Sequence, residues 1–269
     1  MRAFLFLLLL SGTALANAAP RVISLAPSMT EIVIELQAAD LLVAVLDGGE
    51  RPAQVRGLPS VGRHGQLDME RLLSLRPDLL LLWPGSVAPA QRDQLQRLGI
   101  PIYSAEPHDL GQLIEQIQAI GERLGRIEQG RQYATALRER LAGLRERYHR
   151  EPPLRVFYQV WDKPLYTLGG RQIVSDALSV CGARNLFADL DTPAPQVSLE
   201  SVLQRDPEVI LAGDPRQLQA WAAWPQVSAV ARGQLLLVPD LGLERPSGQM
   251  IEAVARLCER LDASVLSRK

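Results

Sequence analysis

One unit occurs twice in the chain, as DMERLLSLRPDLLLLW at residues 68–83 and as SLESVLQRDPEVILAG at residues 198–213. Each copy opens with a residue type that caps helix N-termini, has a glutamate two places later, and reaches a proline and an acid before an apolar run. A fully apolar strand after a short helix is typical of a parallel sheet covered by helices on both faces. The repeat therefore predicts an α/β protein with two lobes, each with a mainly parallel sheet flanked by helices.

The rest of the chain alternates strand-like and helix-like segments in the same way. A serine and a glutamate three residues apart, Ser28 and Glu31, predict a capping box at the start of the first helix. We predict strands at 22–25, 41–46, 79–82, 100–103, 155–160, 209–211 and 235–238. We predict further helices at 89–98, 110–124, 173–180, 199–204 and 248–261.

A charge-rich stretch, residues 126–150, separates the two halves. Its apolar residues recur every three or four positions, which places them on one helical face: Tyr133, Leu137, Leu141, Leu144 and Tyr148. We interpret this stretch as a helix that joins the lobes, and a solvated surface helix is the alternative. The predicted division is an N-terminal lobe at 19–125, the linking helix at 126–150 and a C-terminal lobe at 151–269. A continuous helix between lobes predicts only modest lobe closure.

The N-terminus predicts an export signal. Arg2 precedes an apolar run, residues 3–10, which is shorter than the roughly 20 residues that a membrane-spanning helix needs. Ala16, Asn17 and Ala18 fit the small-x-small cleavage pattern, so we expect residues 1–18 to be removed and the mature chain to be periplasmic. An uncleaved N-terminal anchor is the alternative. No cysteine follows the apolar run, which argues against a lipid anchor.

Cys181 and Cys258 are the two cysteines of the chain. In an oxidising compartment this number suggests one disulfide, and two buried thiols are the alternative. A bridge would close a long loop in the C-terminal half and stabilise the fold by at most about 4 kcal/mol on the chain-entropy model. Without a neighbouring histidine, the pair does not predict a zinc site.

Composition and motifs favour a binding protein over an enzyme or a nucleic-acid-binding protein. The 29 basic and 30 acidic residues nearly balance, and a nucleic-acid-binding protein usually has a basic stripe. The sequence has no nucleophile elbow, phosphate-binding loop, zinc-protease motif or plausible acid/base carboxylate pair. His64, His108 and His149 lie on separate segments without metal-ligand spacing, and we expect His108 and His149 to face solvent.

Two tryptophans stand at the ends of predicted strands, one in each lobe. Trp83 ends the leucine strand, and Trp161 directly follows the strand at 155–160. Because α/β proteins bind ligands outside the carboxyl ends of strands and between domains, we expect both rings to form walls of a cleft. Trp221 and Trp224 look more like packing residues.

Four features together resemble the cobalamin-binding branch of the periplasmic substrate-binding proteins, a class whose two lobes are joined by one long helix. They are PRVISLAPSMTEI at residues 20–32, the unit at 68–83, PQVSLESVL at residues 195–203 and the cysteine pair. The resemblance covers approximately residues 19–265. It implies a corrinoid ligand, with cobalamin as the expected one, no cofactor and no catalysis, and a chain that is a monomer when free.

The resemblance also implies a partner. In that family one glutamate on each lobe docks onto arginines of the membrane permease of an ABC importer, and the matching residues are Glu70 and Glu200. Without the resemblance, the helix dipole alone explains an acid in a first helical turn by roughly 0.3–1 kcal/mol. Charge pairs at two separated points set orientation and association rate more than affinity.

The ligand residues of the family carry over in part. Trp83, Gln196 and the segment LGLER match, that is Leu241, Gly242, Leu243, Glu244 and Arg245, with Arg245 as a hydrogen-bond donor to a carboxamide. The family has aromatic residues at the positions of His64, Val160 and Ala194, and a tyrosine at Gly48. Trp161 would replace the ring that is missing at Val160. His64 is a candidate axial ligand of cobalt or haem iron; no other metal site is expected.

Two alternatives remain open from the sequence. The first is a haem- or ferric-siderophore-binding protein of the same class. The second is a secreted enzyme on a two-lobed, chelatase-like scaffold, against which the missing catalytic constellation argues.

Overall fold

The N-terminal half is built on a six-stranded sheet. In the computed structural model, which describes residues 19–266, its strands are β1 (Val22–Ser24), β2 (Leu42–Asp47), β3 (Ser60–Arg63), β4 (Gln66–Leu67), β5 (Leu79–Leu82) and β6 (Ile102–Ser104). The spatial order is β4-β3-β2-β1-β5-β6, and every pair is parallel except β3 with β4. The predicted signal peptide, residues 1–18, lies outside the described residues.

Four helices cover the two faces of this sheet: α1 (Pro27–Glu35), α2 (Met69–Ser74), α3 (Pro89–Arg97) and α4 (Leu110–Arg123). Alternate residues of the central strands face opposite sides, as Leu79 and Leu81 pack in one apolar cluster while Leu80 and Leu82 pack in another. The first cluster contains the buried faces of α1 and α4, and the second contains Leu72 of α2 and Leu95 of α3. Burial on both faces explains why β5 is entirely apolar.

The capping box predicted at Ser28 and Glu31 is wrong. Helix α1 begins two residues earlier, at Pro27, with Ala26 rather than Ser28 in the N-cap position and no side-chain cap. Proline suits the first helical position because its fixed φ is helical and it lacks an N–H that would need a partner. Ser28 is buried, and Glu31 bonds to the other half of the molecule instead.

A single long helix, α5 (Ile127–Arg147), follows the N-terminal half and has 21 residues. It packs on α4, where Gly121 and Gly130 bring the two backbones close together. Its buried residues include Leu137, Leu141 and Leu144 of the predicted apolar face. The helix lies within the predicted range 126–150, and the lobe boundaries at 125 and 151 stay predictions.

The C-terminal half repeats the arrangement on a smaller sheet. Its strands are β7 (Leu154–Gln159), β8 (Trp161–Asp162), β9 (Leu165–Tyr166), β10 (Ala183–Asn185), β11 (Val209–Ala212) and β12 (Leu235–Leu237). Its helices are α6 (Ile173–Val180), α7 (Leu199–Arg205), α8 (Pro215–Ala220), α9 (Ser228–Ala231) and α10 (Met250–Leu266). The order β10-β7-β11-β12 is parallel throughout, and β8 with β9 forms a separate hairpin. Helices α6 and α10 also contact α5, which thus touches both halves.

The repeated unit has the same local structure in both halves. Asp68 and Ser198 each cap a helix by accepting a hydrogen bond from the backbone N–H three residues on, at 2.9 and 3.1 Å. Each unit then passes through a residue with positive φ directly before its proline, Arg76 at 43° and Asp206 at 44°. The strands that follow, β5 and β11, are both fully buried. The predicted helix-to-strand step is confirmed in both copies.

The predicted disulfide is present between Cys181 and Cys258, with an S–S distance of 2.03 Å. It joins the C-terminal end of α6 to α10, both in the C-terminal half. Trp221 is buried, stacks edge-on against Phe157 and donates to Gln159 at 2.7 Å, so its predicted packing role is confirmed. Trp224 packs against the apolar cluster that contains Phe157 and Trp221. Among the described residues, no helix combines the length and the apolar character needed to cross a bilayer.

Candidate functional site: a cavity between the two sheets

A cavity of about 580 Å³ opens between the two halves. On the N-terminal side, the five parallel strands each supply wall residues at or just beyond their carboxyl ends, for example Leu25, Gly48, His64, Trp83 and His108. The C-terminal half contributes residues from the end of β7, the start of α6 and the segment after β12. This is the place where open α/β sheets bind ligands, and its volume is in the range of small-molecule sites.

Six of the ten predicted ligand residues line this cavity: Gly48, His64, Trp83, Leu243, Glu244 and Arg245. Trp83 is half-buried, and its side chain packs against the apolar cluster that contains Leu79 and Leu81. Its backbone carbonyl oxygen accepts hydrogen bonds from the N–H and the hydroxyl of Ser86. These contacts hold the ring at the cavity wall. The sequence therefore located the N-terminal wall and one loop of the C-terminal wall.

Trp161 and Gln196 do not lie on the cavity wall, so the expectation that the Trp161 ring forms a wall is not met, and the ligand-binding role of both residues stays a prediction. Trp161 is 57% exposed and pairs with Tyr166 in the β8–β9 hairpin, and Gln196 bridges to Tyr166 from the other side. Val160, the residue between β7 and this hairpin, lines the cavity. Ala194, a position that is aromatic in the family, lies outside the wall, and its neighbour Pro193 lies in it.

Leu241 and Gly242 also lie outside the wall, because the segment after β12 begins with a short 3₁₀ turn at Leu241–Glu244. Asp240 caps this turn by accepting from the Gly242 N–H at 2.7 Å, and it also pairs with Arg256. Leu241 is 66% exposed, while Gly242 packs against Ala253. The turn thus presents only its later residues to the cavity.

Gly48 is kept small by its neighbour Pro27. A Cβ at position 48 would lie 2.5 Å from Cγ of Pro27, which is closer than side-chain carbons approach each other. Pro27 opens α1 and lines the same wall. A tyrosine at position 48, as in the resembling family, would require the first turn of α1 to move.

Several wall residues were missed from the sequence. His108 was expected to face solvent, but it is half-buried and lines the cavity, so that expectation is wrong. His149 is exposed, as expected. Tyr158 and Arg171 complete the C-terminal wall. Tyr158 was identifiable in principle, since it stands near the carboxyl end of a predicted strand; Arg171 follows a hairpin that the sequence did not reveal.

The charges of the wall nearly balance. Three carboxylates, Asp47, Glu106 and Glu244, face two guanidinium groups, Arg171 and Arg245. Hydrogen bonds from the Ser60 hydroxyl and the Arg51 guanidinium lower the pKa of Asp47, so this acid is ionised and already paired. The rest of the wall is mainly apolar.

Tyr158 is a residue of the C-terminal wall whose hydroxyl oxygen is buried. Burial, with a smaller contribution from Glu244, raises the pKa of this hydroxyl, so it stays protonated. Within the described chain its oxygen has no hydrogen-bond partner.

His64 is exposed and lies on the cavity wall just after β3. No group of three or more His, Cys, Asp or Glu side chains among the described residues could hold a metal ion. The axial-ligand role of His64 stays a prediction, because it concerns a metal that the ligand itself would carry.

Glu70 and Glu200 occupy equivalent positions, each the second residue of its helix, and both are exposed. The backbone N–H of Glu200 and the Ser198 hydroxyl lower the pKa of the Glu200 carboxyl. Each carboxylate is thus presented to solvent at a helix N-terminus, and their docking role stays a prediction.

Two α/β halves that share one long helix and enclose a cavity define a substrate-binding protein. The chain belongs to the periplasmic binding protein family, whose model matches residues 22–240. Its curated relatives include the vitamin B12-binding proteins of Vibrio cholerae, 36% identical over 90% of this chain and 89% of theirs, and of Yersinia pseudotuberculosis, 36% identical over 97% of this chain and 92% of theirs. The family is one of binding proteins, so this chain is not an enzyme.

Solved structures agree with this assignment. The periplasmic vitamin B12-binding protein BtuF of Vibrio cholerae superposes with a TM-score of 0.81 at 35% identity, covering 91% of this chain and 98% of that one. The periplasmic haem-binding protein HutB of the same organism superposes with a TM-score of 0.79 at 20% identity, covering 91% of this chain and 99% of that one. At that identity the second match shows the fold alone.

Proposed function

We propose that this protein captures a corrinoid, with cobalamin as the preferred ligand, in the cavity between its halves and delivers it to an ABC importer. The observation that carries the proposal is the 36% identity, over 90% of the chain, to a protein named for vitamin B12 binding. The haem-binding structure that shares the fold is only 20% identical. The similarity is therefore greater to the corrinoid-binding relatives than to this haem-binding one.

The chemistry of the wall supports the same ligand class. A corrinoid is a flat ring edged with neutral carboxamides, which need apolar contact and a few hydrogen-bond partners. Haem carries two carboxylates and would bring them against a wall that already holds three carboxylates and two guanidinium groups. Asp47 is already paired with Arg51 and Arg245 with Glu31, so the wall offers no excess of positive charge to an anionic ligand.

Isothermal titration of the mature chain with cyanocobalamin, haem and a ferric hydroxamate tests the proposal. We expect one corrinoid per chain and weaker binding of the other two ligands. Replacement of Trp83 by alanine should weaken corrinoid binding by at least about tenfold, because a half-buried ring at the wall is lost. Tight binding of haem with no binding of cyanocobalamin would reject the proposal in favour of the haem alternative.

One observation gives the haem alternative some support, namely the two histidines on the cavity wall, His64 and His108. An imidazole nitrogen coordinates cobalt as well as iron. If His64 is an axial ligand, the visible spectrum of the bound ligand should change in His64→Ala and stay unchanged in His149→Ala, which lies outside the cavity. An identical spectrum in all three proteins would exclude axial ligation by His64.

We further propose that the chain acts in the periplasm as a monomer after cleavage at Ala18, and that Glu70 and Glu200 dock onto the permease. Their equivalent exposure at two helix N-termini, one in each half, supports this role. The double variant Glu70→Gln with Glu200→Gln should keep its corrinoid affinity and lose transport in a reconstituted importer. Glu128→Gln, on the exposed first turn of α5, is the matched control. Loss of ligand binding in the double variant would refute the docking role.

A further inference from the structure

Two carboxylates of α1, Glu31 and Glu35, bind one short segment of the opposite half. Glu31 accepts hydrogen bonds from Nη1 of Arg245 at 3.0 Å, from the Ser247 hydroxyl at 3.0 Å and from Nε2 of Gln249 at 2.6 Å. Glu35 accepts from two successive backbone N–H groups of the same segment at 2.8 and 2.9 Å. We name residues 245–249 the anchored segment.

The two carboxylates do not play the same part. The side chain of Glu31 is only 12% exposed, and it forms an ion pair with the 43%-exposed guanidinium of Arg245. Glu35 binds two backbone N–H groups of the segment, and it also interacts with the Ser247 side chain and with the Tyr133 hydroxyl of α5, which packs against Gly248. A buried carboxylate is costly without partners, so each acid is committed to its position. Glu35 holds the backbone of the segment, and Glu31 holds the arginine side chain.

Arg245 belongs both to these contacts between the two halves and to the cavity wall. It lines the cavity wall, whereas Glu35 does not. Within the described chain only its Nη1 has a hydrogen-bond acceptor, so Nε and Nη2 remain available as donors. Its Nη2 lies close to Gly49 of the N-terminal half, which is the chain neighbour of the wall residue Gly48; a Cβ on Gly49 would stand 3.6 Å from this nitrogen. The ion pair with Glu31 thus holds this side chain of the C-terminal half beside the N-terminal half.

We propose that Glu31 is a positioning residue for ligand recognition: it fixes the guanidinium of Arg245 so that the free N–H groups meet a neutral oxygen acceptor, such as a carboxamide, on the bound ligand. The proposal rests on the corrinoid function inferred above. Ordering an arginine side chain costs conformational entropy. Because the ion pair with Glu31 already orders Arg245 in the free protein, this cost does not arise again when the ligand binds, and binding is favoured.

A double-mutant cycle on Glu31 and Arg245 tests the proposal, with cyanocobalamin affinity and thermal unfolding as readouts. Glu31→Gln keeps the shape but removes the charge that holds the guanidinium. We expect an affinity loss of about tenfold, the size of one hydrogen bond to a charged group, and no further loss when Glu31→Gln is added to Arg245→Ala. Glu35→Gln is the matched control, since it should lower the unfolding temperature while affinity changes by less than about twofold.

Equal affinity losses in Glu31→Gln and Glu35→Gln, or additive losses in the cycle, would overturn the proposal and leave a purely structural junction. A ligand-free measurement separates this failure from a failure of the proposed function. The rate at which phenylglyoxal modifies Arg245, followed by mass spectrometry, should rise in Glu31→Gln and stay unchanged in Glu35→Gln. If the wild type binds no corrinoid, the proposed function fails. If phenylglyoxal modifies Arg245 at the same rate in Glu31→Gln as in the wild type, the positioning role is refuted whatever the ligand is.

Discussion

At the scale of single residues, the cavity wall is set by a few close contacts. Pro27 keeps position 48 a glycine, and the carbonyl of Trp83 is bound by Ser86. Trp83 could be placed at a cleft from the sequence because it stands at the end of a recognisable strand, whereas Gly48 was predicted only through the family resemblance. Trp161 could not be placed correctly, because the two-residue strands of its hairpin are too short to leave a periodic pattern.

The unpartnered hydroxyl of Tyr158 gives a prediction at this scale. Its buried oxygen has no hydrogen-bond partner among the described residues, so Tyr158→Phe should leave the free energy of unfolding unchanged or raise it by up to about 1 kcal/mol. Tyr133→Phe is the contrast, since its hydroxyl interacts with Glu35, and it should lower that free energy by about 1 kcal/mol. Urea unfolding of both variants measures this difference. Equal destabilisation by the two changes would contradict the account.

At the scale of elements, the repeated unit is the part of the fold that the sequence specifies best. Cap, helix, proline and apolar strand are all local signals, and both copies form as predicted. The failed capping box at Ser28 shows the limit of such signals, because Pro27 offers a competing helix start. The positive φ of Arg76 leaves no signal in its residue type, whereas aspartate at 206 is a type that adopts the left-handed region more readily. The following prolines disfavour a right-handed helical conformation at both positions.

Arg76 and Asp206, the two residues with positive φ, should respond in opposite ways to replacement by glycine. Arg76 is exposed and makes no side-chain hydrogen bond within the described chain, so Arg76→Gly should raise the free energy of unfolding by roughly 0.5–1 kcal/mol through relief of backbone strain. Asp206 binds the backbone N–H and hydroxyl of Ser228 at 2.8 and 2.6 Å. Asp206→Gly should therefore lower that free energy by about 1 kcal/mol or more. Thermal unfolding of the two variants checks the sign, and a stabilising Asp206→Gly would be the contrary result.

At the scale of the whole molecule, the two halves are joined by contacts between residues far apart in the chain. Glu31 and Arg245 are separated by 214 positions, and Asp176 of α6 accepts from the Leu110 N–H at the start of α4 at 2.9 Å. No local pattern marks such pairs, so the sequence predicted two lobes and a linking helix but not the carboxylates that join them.

The junction between the halves predicts a pH dependence. Burial, and then the charge of Glu31, raise the pKa of Glu35 above 4.5, although two backbone N–H groups oppose the shift. The folded state then holds more protons than the unfolded chain above pH 4.5, so the free energy of unfolding should fall as the pH rises through this window. This decline should be smaller in Glu35→Gln. Urea unfolding of both proteins from pH 4.5 to about pH 8 gives the two curves, and parallel curves would show that Glu35 does not titrate in this way.

The most direct test of the central claim is native mass spectrometry of the mature chain mixed with equal amounts of cyanocobalamin, haem and a ferric hydroxamate. The measurement reports the ligand, the stoichiometry and the oligomeric state together. We predict one dominant species, a monomer with a single bound cyanocobalamin. A dominant adduct with haem or the ferric chelate, or a chain that binds none of the three, would contradict the assignment of this cavity to a corrinoid.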